Sequence, residues 1–89
     1  MRPQFFAIPS LPHQVARHIK EEILARRLVS GDRLKEQPLS KELGVSRGTV
    51  REACIRLEVE GIIRKAPRVG YFIADGAYIA VDAELADTA

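Results

Sequence analysis

A mainly α-helical fold with a small β-hairpin is predicted by three features of this 89-residue sequence. Apolar residues recur every three or four positions along residues 11–28 and again along residues 39–60, the spacing of helices with one buried face. The second stretch is interrupted at residues 44–46, which suit a tight turn between two helices. Two short β-prone runs then flank a turn at residues 66–70. Three helices followed by a hairpin wing form a winged helix-turn-helix.

The first helix is expected to run from Ser10 or Leu11 to Leu28. Ser10 is a suitable N-cap, and Pro12 fits the first turn, where a missing N–H is tolerated. The apolar stripe of this helix comprises Leu11, Val15, Ala16, Ile19, Ile23, Leu24 and Leu28. It predicts a support helix that covers the helix-turn-helix. His13 and His18 have neither a cysteine nor a third histidine at ligand spacing, so no metal site is expected.

The helix-turn-helix follows a glycine-containing turn, and Arg33-Leu34 is expected to form a brief strand against the hairpin. Pro38 suits only the first turn of a helix, so the first helix of the motif is expected to start late. Gly44 stands where a left-handed helix cap is needed, and Ser46 can cap the second helix.

The second helix of the motif, residues 47–60, carries Arg47 and Arg51 four positions apart on its outward face. A guanidinium donates paired hydrogen bonds to a phosphate or to the acceptor edge of guanine. Thr49 adds a hydroxyl and a methyl group, and Gly48 lets another backbone approach closely. Two arginines alone are typical of any solvated helix face. At this position in a helix-turn-helix they indicate a DNA-reading helix.

Other residues of this helix have competing interpretations. Ile55 lies off the buried stripe and is available to a thymine methyl, to a dimer partner or to another part of the domain. Glu52 is expected to order a neighbouring arginine rather than to touch DNA. Cys54 is expected in the core, because it lies on the buried side of the helix.

The segments GVSRGTVREAC, RLEVEGII and RVGYFI resemble the DNA-binding domain of GntR-type bacterial transcriptional regulators. The resemblance extends from Leu11 to Ala74 and includes GDRL at residues 31–34. It implies sequence-specific binding of double-stranded DNA, with the recognition helix 47–60 in the major groove and the wing 64–74 at the minor groove. It also implies a homodimer on a near-palindromic operator, usually acting as a repressor in the cytoplasm.

Combined with the residue types above, the resemblance assigns the DNA contacts to Ser46, Arg47, Gly48, Thr49, Arg51, Arg64, Lys65, Arg68, Gly70 and Lys35. Two departures from the family pattern affect this set. Gln37 stands where family members often have an arginine on the DNA backbone. Lys35 or Lys41 is available to take that contact, and the alternative for either lysine is a solvated side chain. The arginine of the wing tip is shifted back by one residue, to Arg68.

The chain divides into an N-terminal arm at residues 1–9, the winged helix-turn-helix at residues 10–74 and an acidic tail at residues 75–89. The tail is interpreted as a linker or the start of a missing C-terminal effector domain, with the opening of a helix or a genuine C-terminus as alternatives. Residues 31–53 are most similar to the FadR-like branch, whose all-helical effector domains bind carboxylic acids, often with a metal. No cofactor is expected in the chain itself.

Composition supports the same reading. Residues 75–89 contain no Lys or Arg, so the first 74 residues hold all 14 basic residues, 8 of the 12 acidic ones and a balance of +6, which suits a polyanionic partner. No apolar run approaches the ~18 residues of a membrane span, and a single cysteine forms no internal disulfide. No catalytic constellation is recognisable, so an enzyme is not expected. The alternative function is a winged helix used only for protein–protein contact. Phe5, Phe6 and Ile55 leave this alternative open, whereas the Arg47/Arg51 pair and the basic wing argue against it.

Overall fold

The computed structural model describes residues 9–88, and the side chains of residues 9–85. The predicted arm, with Phe5 and Phe6, lies outside the described residues except for Pro9. The elements are, in order, α1 (Leu11–Leu24), β1 (Arg33–Leu34), α2 (Glu36–Leu43), α3 (Arg47–Val59), β2 (Ile63–Ala66), β3 (Gly70–Ile73) and α4 (Ala77–Thr88).

The predicted winged helix-turn-helix is confirmed, and α4 is a fourth helix beyond the three that the sequence indicated. The strands lie in the order β1-β3-β2 and are antiparallel. Arg33 pairs with Phe72, so the brief strand predicted there does join the hairpin. Ala66 pairs with Gly70, and the turn is therefore two residues shorter than predicted.

The first helix begins as predicted, because the Ser10 hydroxyl accepts a hydrogen bond from a first-turn N–H at 3.3 Å. Its predicted end at Leu28 is wrong. Arg26 takes a left-handed conformation (φ 64°), which stops the helix just after Leu24. Leu28 still packs against the core. The predicted burial of Leu11 is also wrong: as the first helical residue it precedes the buried stripe, and it is 53% exposed.

The helix α2 begins at Glu36, so the prediction of a late start is wrong. Lys35 holds the extended N-cap conformation (φ −104°, ψ 123°), and Pro38 is the third helical residue. The first N–H groups of a helix have no intrahelical partner, so proline costs no hydrogen bond there. Gly44 ends α2 in the left-handed conformation (φ 70°), and Ser46 caps α3, both as predicted.

One core is built from α1, α3, α4 and the sheet, and α2 packs against it through the partly buried Leu39 and Leu43. Its buried apolar residues are Val15, Ala16, Ile19, Ile23, Leu34, Val50, Ala53, Cys54, Leu57, Ile62, Ile63, Tyr71, Ile73, Ala77 and Val81. The predicted core position of Cys54 is confirmed. Burial raises the pKa of its thiol to about 12, so the group is protonated at neutral pH and packs as a small apolar side chain.

The tail forms the helix α4, the opening of a helix being one of the alternatives that the sequence left open. Its buried residues Ala77 and Val81 pack in the same core as α1. The Lys20 ammonium in α1 binds Glu84 in α4 at 2.7 Å and Glu60, which caps the end of α3, at 2.9 Å. Across residues 9–88, the helices are too short or too polar to cross a membrane.

Candidate nucleic-acid interface

The first turn of α3 is held by its cap. Ser46 Oγ accepts a hydrogen bond from the Thr49 backbone N–H at 3.0 Å and lies 2.9 Å from the Thr49 hydroxyl. Each hydroxyl keeps further hydrogen-bonding capacity, because it has one donor and two acceptor positions. This pair fixes the backbone turn from which Arg47 and Gly48 are presented.

Arg47 and Gly48 form the exposed surface of that turn. No salt bridge joins the Arg47 guanidinium to any side chain in residues 9–85. A Cβ on Gly48 would meet the Ser46 hydroxyl at 3.8 Å, an ordinary contact. The described part of the domain therefore does not itself require glycine here, and the bare backbone is open to an approaching partner.

Arg51, one turn further along α3, is bound by Glu36, the first residue of α2. Its Nε and Nη2 donate to the two carboxylate oxygens at 3.0 and 2.9 Å, a bidentate pair. The hydrogen bond from Arg51 holds the pKa of Glu36 below its usual value against the effect of burial, and the charges of Arg47 and Lys65 act in the same direction. Glu36 is therefore ionised at neutral pH, among the predicted DNA contacts.

An open groove separates α2 and the first turns of α3 from the wing. Five predicted contact residues line it: Lys35, Arg51, Lys65, Arg68 and Gly70. Three further charged or polar residues, Arg33, Glu36 and Gln37, lie beside them. Its charged side chains are cationic apart from Glu36. Such a concentration of one charge attracts a polyanion. We call this surface, together with the exposed first turn of α3, the basic groove.

The wing tip is supported by Arg33, a residue outside the predicted contacts. Its Nη2 donates to the carbonyl oxygen of Val69, and its Nε would lie 3.3 Å from a Cβ placed on Gly70. Gly70 also has φ 136°, a conformation that favours glycine, so the wing itself requires it. Arg68 takes a left-handed conformation (φ 66°) in the turn and is exposed there.

The two basic residues predicted on β2 point to opposite faces of the sheet, because side chains alternate along a strand. Lys65 lines the basic groove, with its Nζ 5.9 Å from the centre of the Tyr71 ring. Arg64 stacks over Phe72 at 5.2 Å on the other face. The structure therefore does not bring Arg64 together with the other predicted contacts.

Sequence reasoning missed Glu36 and the role of Arg33. Glu36 lies 15 residues before Arg51, and Arg33 lies 36 residues before Val69, so no helical or strand spacing connects either pair. The sequence offered one signal for Glu36. It is an acidic residue next to Lys35, just before a motif whose outward face is basic, so a pairing with one of those basic residues could have been considered.

The second half of α3 presents a different surface. Val59 is 84% exposed and Ile55 is 49% exposed. Glu52 lies 3.7 Å from Arg56 in an exposed ion pair one helical turn along, so a neighbouring arginine is within its reach, and its predicted ordering role stays a prediction. Among the side chains of residues 9–85, His, Cys, Asp and Glu form no group of three that would hold a metal ion.

The helix-turn-helix, its wing and the basic groove define a winged helix-turn-helix domain of the DNA-binding class. Residues 11–73 match the family model for bacterial regulatory proteins of the gntR family. The chain therefore belongs to the GntR family of bacterial transcriptional regulators and carries its DNA-binding domain, which confirms the resemblance seen in the motifs. The FadR-like branch stays a prediction.

Two curated relatives are similar over the same region. An uncharacterized HTH-type transcriptional regulator from Mycobacterium tuberculosis is 40% identical over 60 residues, which are 67% of this chain and 25% of the relative. Another, from an unstable DNA locus of Streptomyces ambofaciens, is 36% identical over 56 residues, 63% of this chain and 24% of the relative. The chain thus spans about a quarter of the length of these relatives.

Solved structures share the fold. A GntR family transcriptional regulator from Listeria monocytogenes superposes with a TM-score of 0.81 at 22% identity, over 90% of this chain and 73% of that one. The AraR DNA-binding domain, solved in complex with the operator ORX1, superposes with a TM-score of 0.71 at 25% identity. That match covers 83% of this chain and 90% of the AraR domain.

Proposed function

We propose that this domain binds double-stranded DNA sequence-specifically, as the DNA-reading part of a cytoplasmic transcriptional repressor. The observation that carries the proposal is the basic groove, which joins five predicted contact residues to the exposed first turn of α3. In this arrangement α3 enters the major groove and the wing lies at the minor groove. The AraR DNA-binding domain, which shares the fold, was solved in complex with an operator, and this supports DNA as the partner.

The roles follow from side-chain chemistry. Arg47 and Arg51 read or anchor at base edges, with Thr49 beside them. Gly48 allows close approach of the α3 backbone, and the Ser46 cap holds the turn. The flanking phosphates and the minor groove are contacted from the basic groove by Lys35, Lys65, Arg68 and the backbone at Gly70. Arg64 contacts the DNA backbone separately, from the other face of the wing. Binding of this kind uses the chain's own groups and needs no cofactor.

We propose that two copies of the regulator bind together. A two-fold dimer places two recognition helices in successive major grooves, so a near-palindromic operator matches its symmetry. One domain alone makes half of these contacts, and its affinity is correspondingly lower.

The test is fluorescence anisotropy of the chain with promoter duplexes from its genomic neighbourhood and with a scrambled duplex, across a salt series. The proposal expects a preferred duplex and an affinity that falls with salt. Arg47→Ala should lose much of the preference, and it should reduce the salt slope by about 0.9 if Arg47 contacts one phosphate. Arg17→Ala is the matched control, since Arg17 is an exposed α1 residue paired with Glu21.

The second candidate is a protein-contact module, favoured by the exposure of Ile55 and Val59 on α3. It predicts no binding to any duplex even at low salt, and an unchanged result for Arg47→Ala. A steep salt dependence with a preferred duplex would exclude it as the main function of the basic groove.

A further inference from the structure

Glu36 is a carboxylate placed in a surface that otherwise suits a polyanion. A negative charge at this position weakens the attraction of phosphates to the basic groove. It is nevertheless held firmly: it lies in the first turn of α2, where a helix favours negative charge, and its side chain is only 26% exposed. Its direct effect on the interface is therefore the one it has on Arg51, its hydrogen-bond partner.

The pair leaves one edge of the guanidinium available. Arginine has five N–H donors, and Glu36 takes one from Nε and one from Nη2. The remaining edge consists of Nη1 and the second hydrogen of Nη2, two parallel donors at the end of the side chain. That edge matches the O6 and N7 acceptors of guanine in the major groove.

We propose that Glu36 is a positioning residue that commits Arg51 to reading guanine instead of anchoring to a phosphate. The proposal rests on the DNA binding proposed above. Glu36 fixes the plane of the guanidinium across the α2–α3 junction, and it offsets the charge that would draw Arg51 to the nearest phosphate. Both effects favour a bidentate contact with a base over a contact with the backbone.

The other cations near Glu36 show the contrast. Arg47 and Lys65 affect the carboxylate through their charges, but Arg51 is the one in hydrogen-bond contact with it. The Arg47 guanidinium forms no salt bridge within residues 9–85, so no carboxylate holds it in one orientation. Arg47 and Arg51, in the first turns of α3, therefore differ in role: Arg51 is oriented before DNA arrives, whereas Arg47 is not.

A simple brace between α2 and α3 would produce the same contact in the free protein. The two roles differ in what happens to DNA binding when the carboxylate is removed. Loss of a brace lowers the stability of the domain and reduces its affinity for all duplexes alike. Loss of a positioning residue lowers discrimination at one base pair, while affinity for non-specific DNA rises because Arg51 is released to the phosphates.

The experiment selects duplexes from a random library with the full chain and four variants: Glu36→Gln, Arg51→Ala, the double variant Glu36→Gln/Arg51→Ala, and Glu42→Gln. The last is a matched control, with the same charge change on the exposed side of α2. Selected duplexes and their single-base changes are then measured by fluorescence anisotropy across a salt series. Circular dichroism establishes that each variant is folded.

The expected result is a guanine preference at one position that falls about tenfold in Glu36→Gln and is absent in Arg51→Ala. Glu36→Gln should also bind scrambled duplex more tightly, with a salt slope steeper by about 0.9 if Arg51 gains one phosphate contact. In the Arg51→Ala background, Glu36→Gln should change discrimination no further. Glu42→Gln should retain the wild-type preference.

Unchanged base preference in Glu36→Gln, with weaker binding to every duplex, would overturn the positioning role and leave a brace. If Glu36→Gln does not fold, Glu36→Asp decides, because it keeps the charge but shortens the side chain that holds the Arg51 guanidinium. An unchanged guanine preference in Glu36→Asp would overturn the proposal. If wild type selects no sequence at all, the proposed function fails together with this inference. A wild-type preference that depends on Arg47 alone would sink the inference and spare the function.

Discussion

Gly48 occupies a position where the domain would accept a side chain. An added Cβ meets the Ser46 hydroxyl at an unstrained 3.8 Å, and alanine is a better helix former than glycine. We expect Gly48→Ala to raise the free energy of unfolding by about 0.5 kcal/mol. DNA affinity should nevertheless fall, because the methyl group would meet the backbone of the bound DNA.

Urea unfolding and anisotropy on the same protein samples check both halves of this prediction. A stabilised variant with undiminished affinity would show that no DNA backbone approaches Gly48. Loss of both stability and affinity would instead indicate that the added methyl group disrupts the first turn of α3, including the hydrogen bond between Ser46 and Thr49.

The individual contacts of the site were predictable to different degrees. Arg47, Gly48 and Arg51 follow from the helical spacing and the motif around them. The pairing of Arg51 with Glu36 does not, because it joins two helices whose relative rotation depends on how Leu39 and Leu43 meet the core. Sequence periodicity shows which face of a helix is outward, but it does not show which side chains meet across a junction.

Helix caps provide a comparison between elements, since Ser10 and Ser46 cap α1 and α3 in the same way. Each hydroxyl accepts a hydrogen bond from the N–H three residues later. Alanine at either position should lower the free energy of unfolding by about 1 kcal/mol. Ser46→Ala should also weaken specific DNA binding, because the capped turn presents Arg47, whereas Ser10→Ala should leave binding of the folded protein unchanged.

Chemical denaturation and duplex binding of both variants would check this difference. Equal losses of affinity in the two would mean that binding follows global stability, and Ser46 would have no part of its own in the interface.

The predicted bounds of helices were wrong where the backbone conformation of one residue, or packing against distant residues, determines where the helix begins or ends. The α1 pattern continues to Leu28, but the left-handed Arg26 ends the helix earlier, and no local sequence rule assigns that conformation to an arginine. The helix α4 has small and acidic residues without a clear apolar stripe. It is held by burial of Ala77 and Val81 and by partners far away in the sequence, which the sequence alone does not show.

Across the whole molecule, α4 is connected to the domain by polar contacts as well as by the core. Glu84 and Glu60 share the Lys20 ammonium, and Arg26 lies 3.5 Å above the Tyr78 ring. Burial opposes the charge of Lys20, but the hydrogen bonds that its ammonium donates to Glu84 and Glu60 outweigh this effect and raise the pKa of Lys20. The Lys20 triad therefore ties the end of the recognition helix to α4.

Acid should weaken this arrangement in a defined pH range. The hydrogen bonds from Lys20 and from Arg51 lower the pKa of Glu84 and of Glu36 below the ordinary 4.5. Stability from a carboxyl with a lowered pKa is present above its unfolded pKa and is lost as the pH falls through the folded value. The free energy of unfolding should therefore decrease below about pH 4.5, as urea titrations at a series of pH values would measure. Lys20→Met should reduce this dependence, because Glu84 loses its hydrogen-bond donor. The matched control is Lys41→Met, which removes an exposed lysine that lies outside these ion pairs. An undiminished slope in Lys20→Met would show that the triad contributes nothing to acid sensitivity.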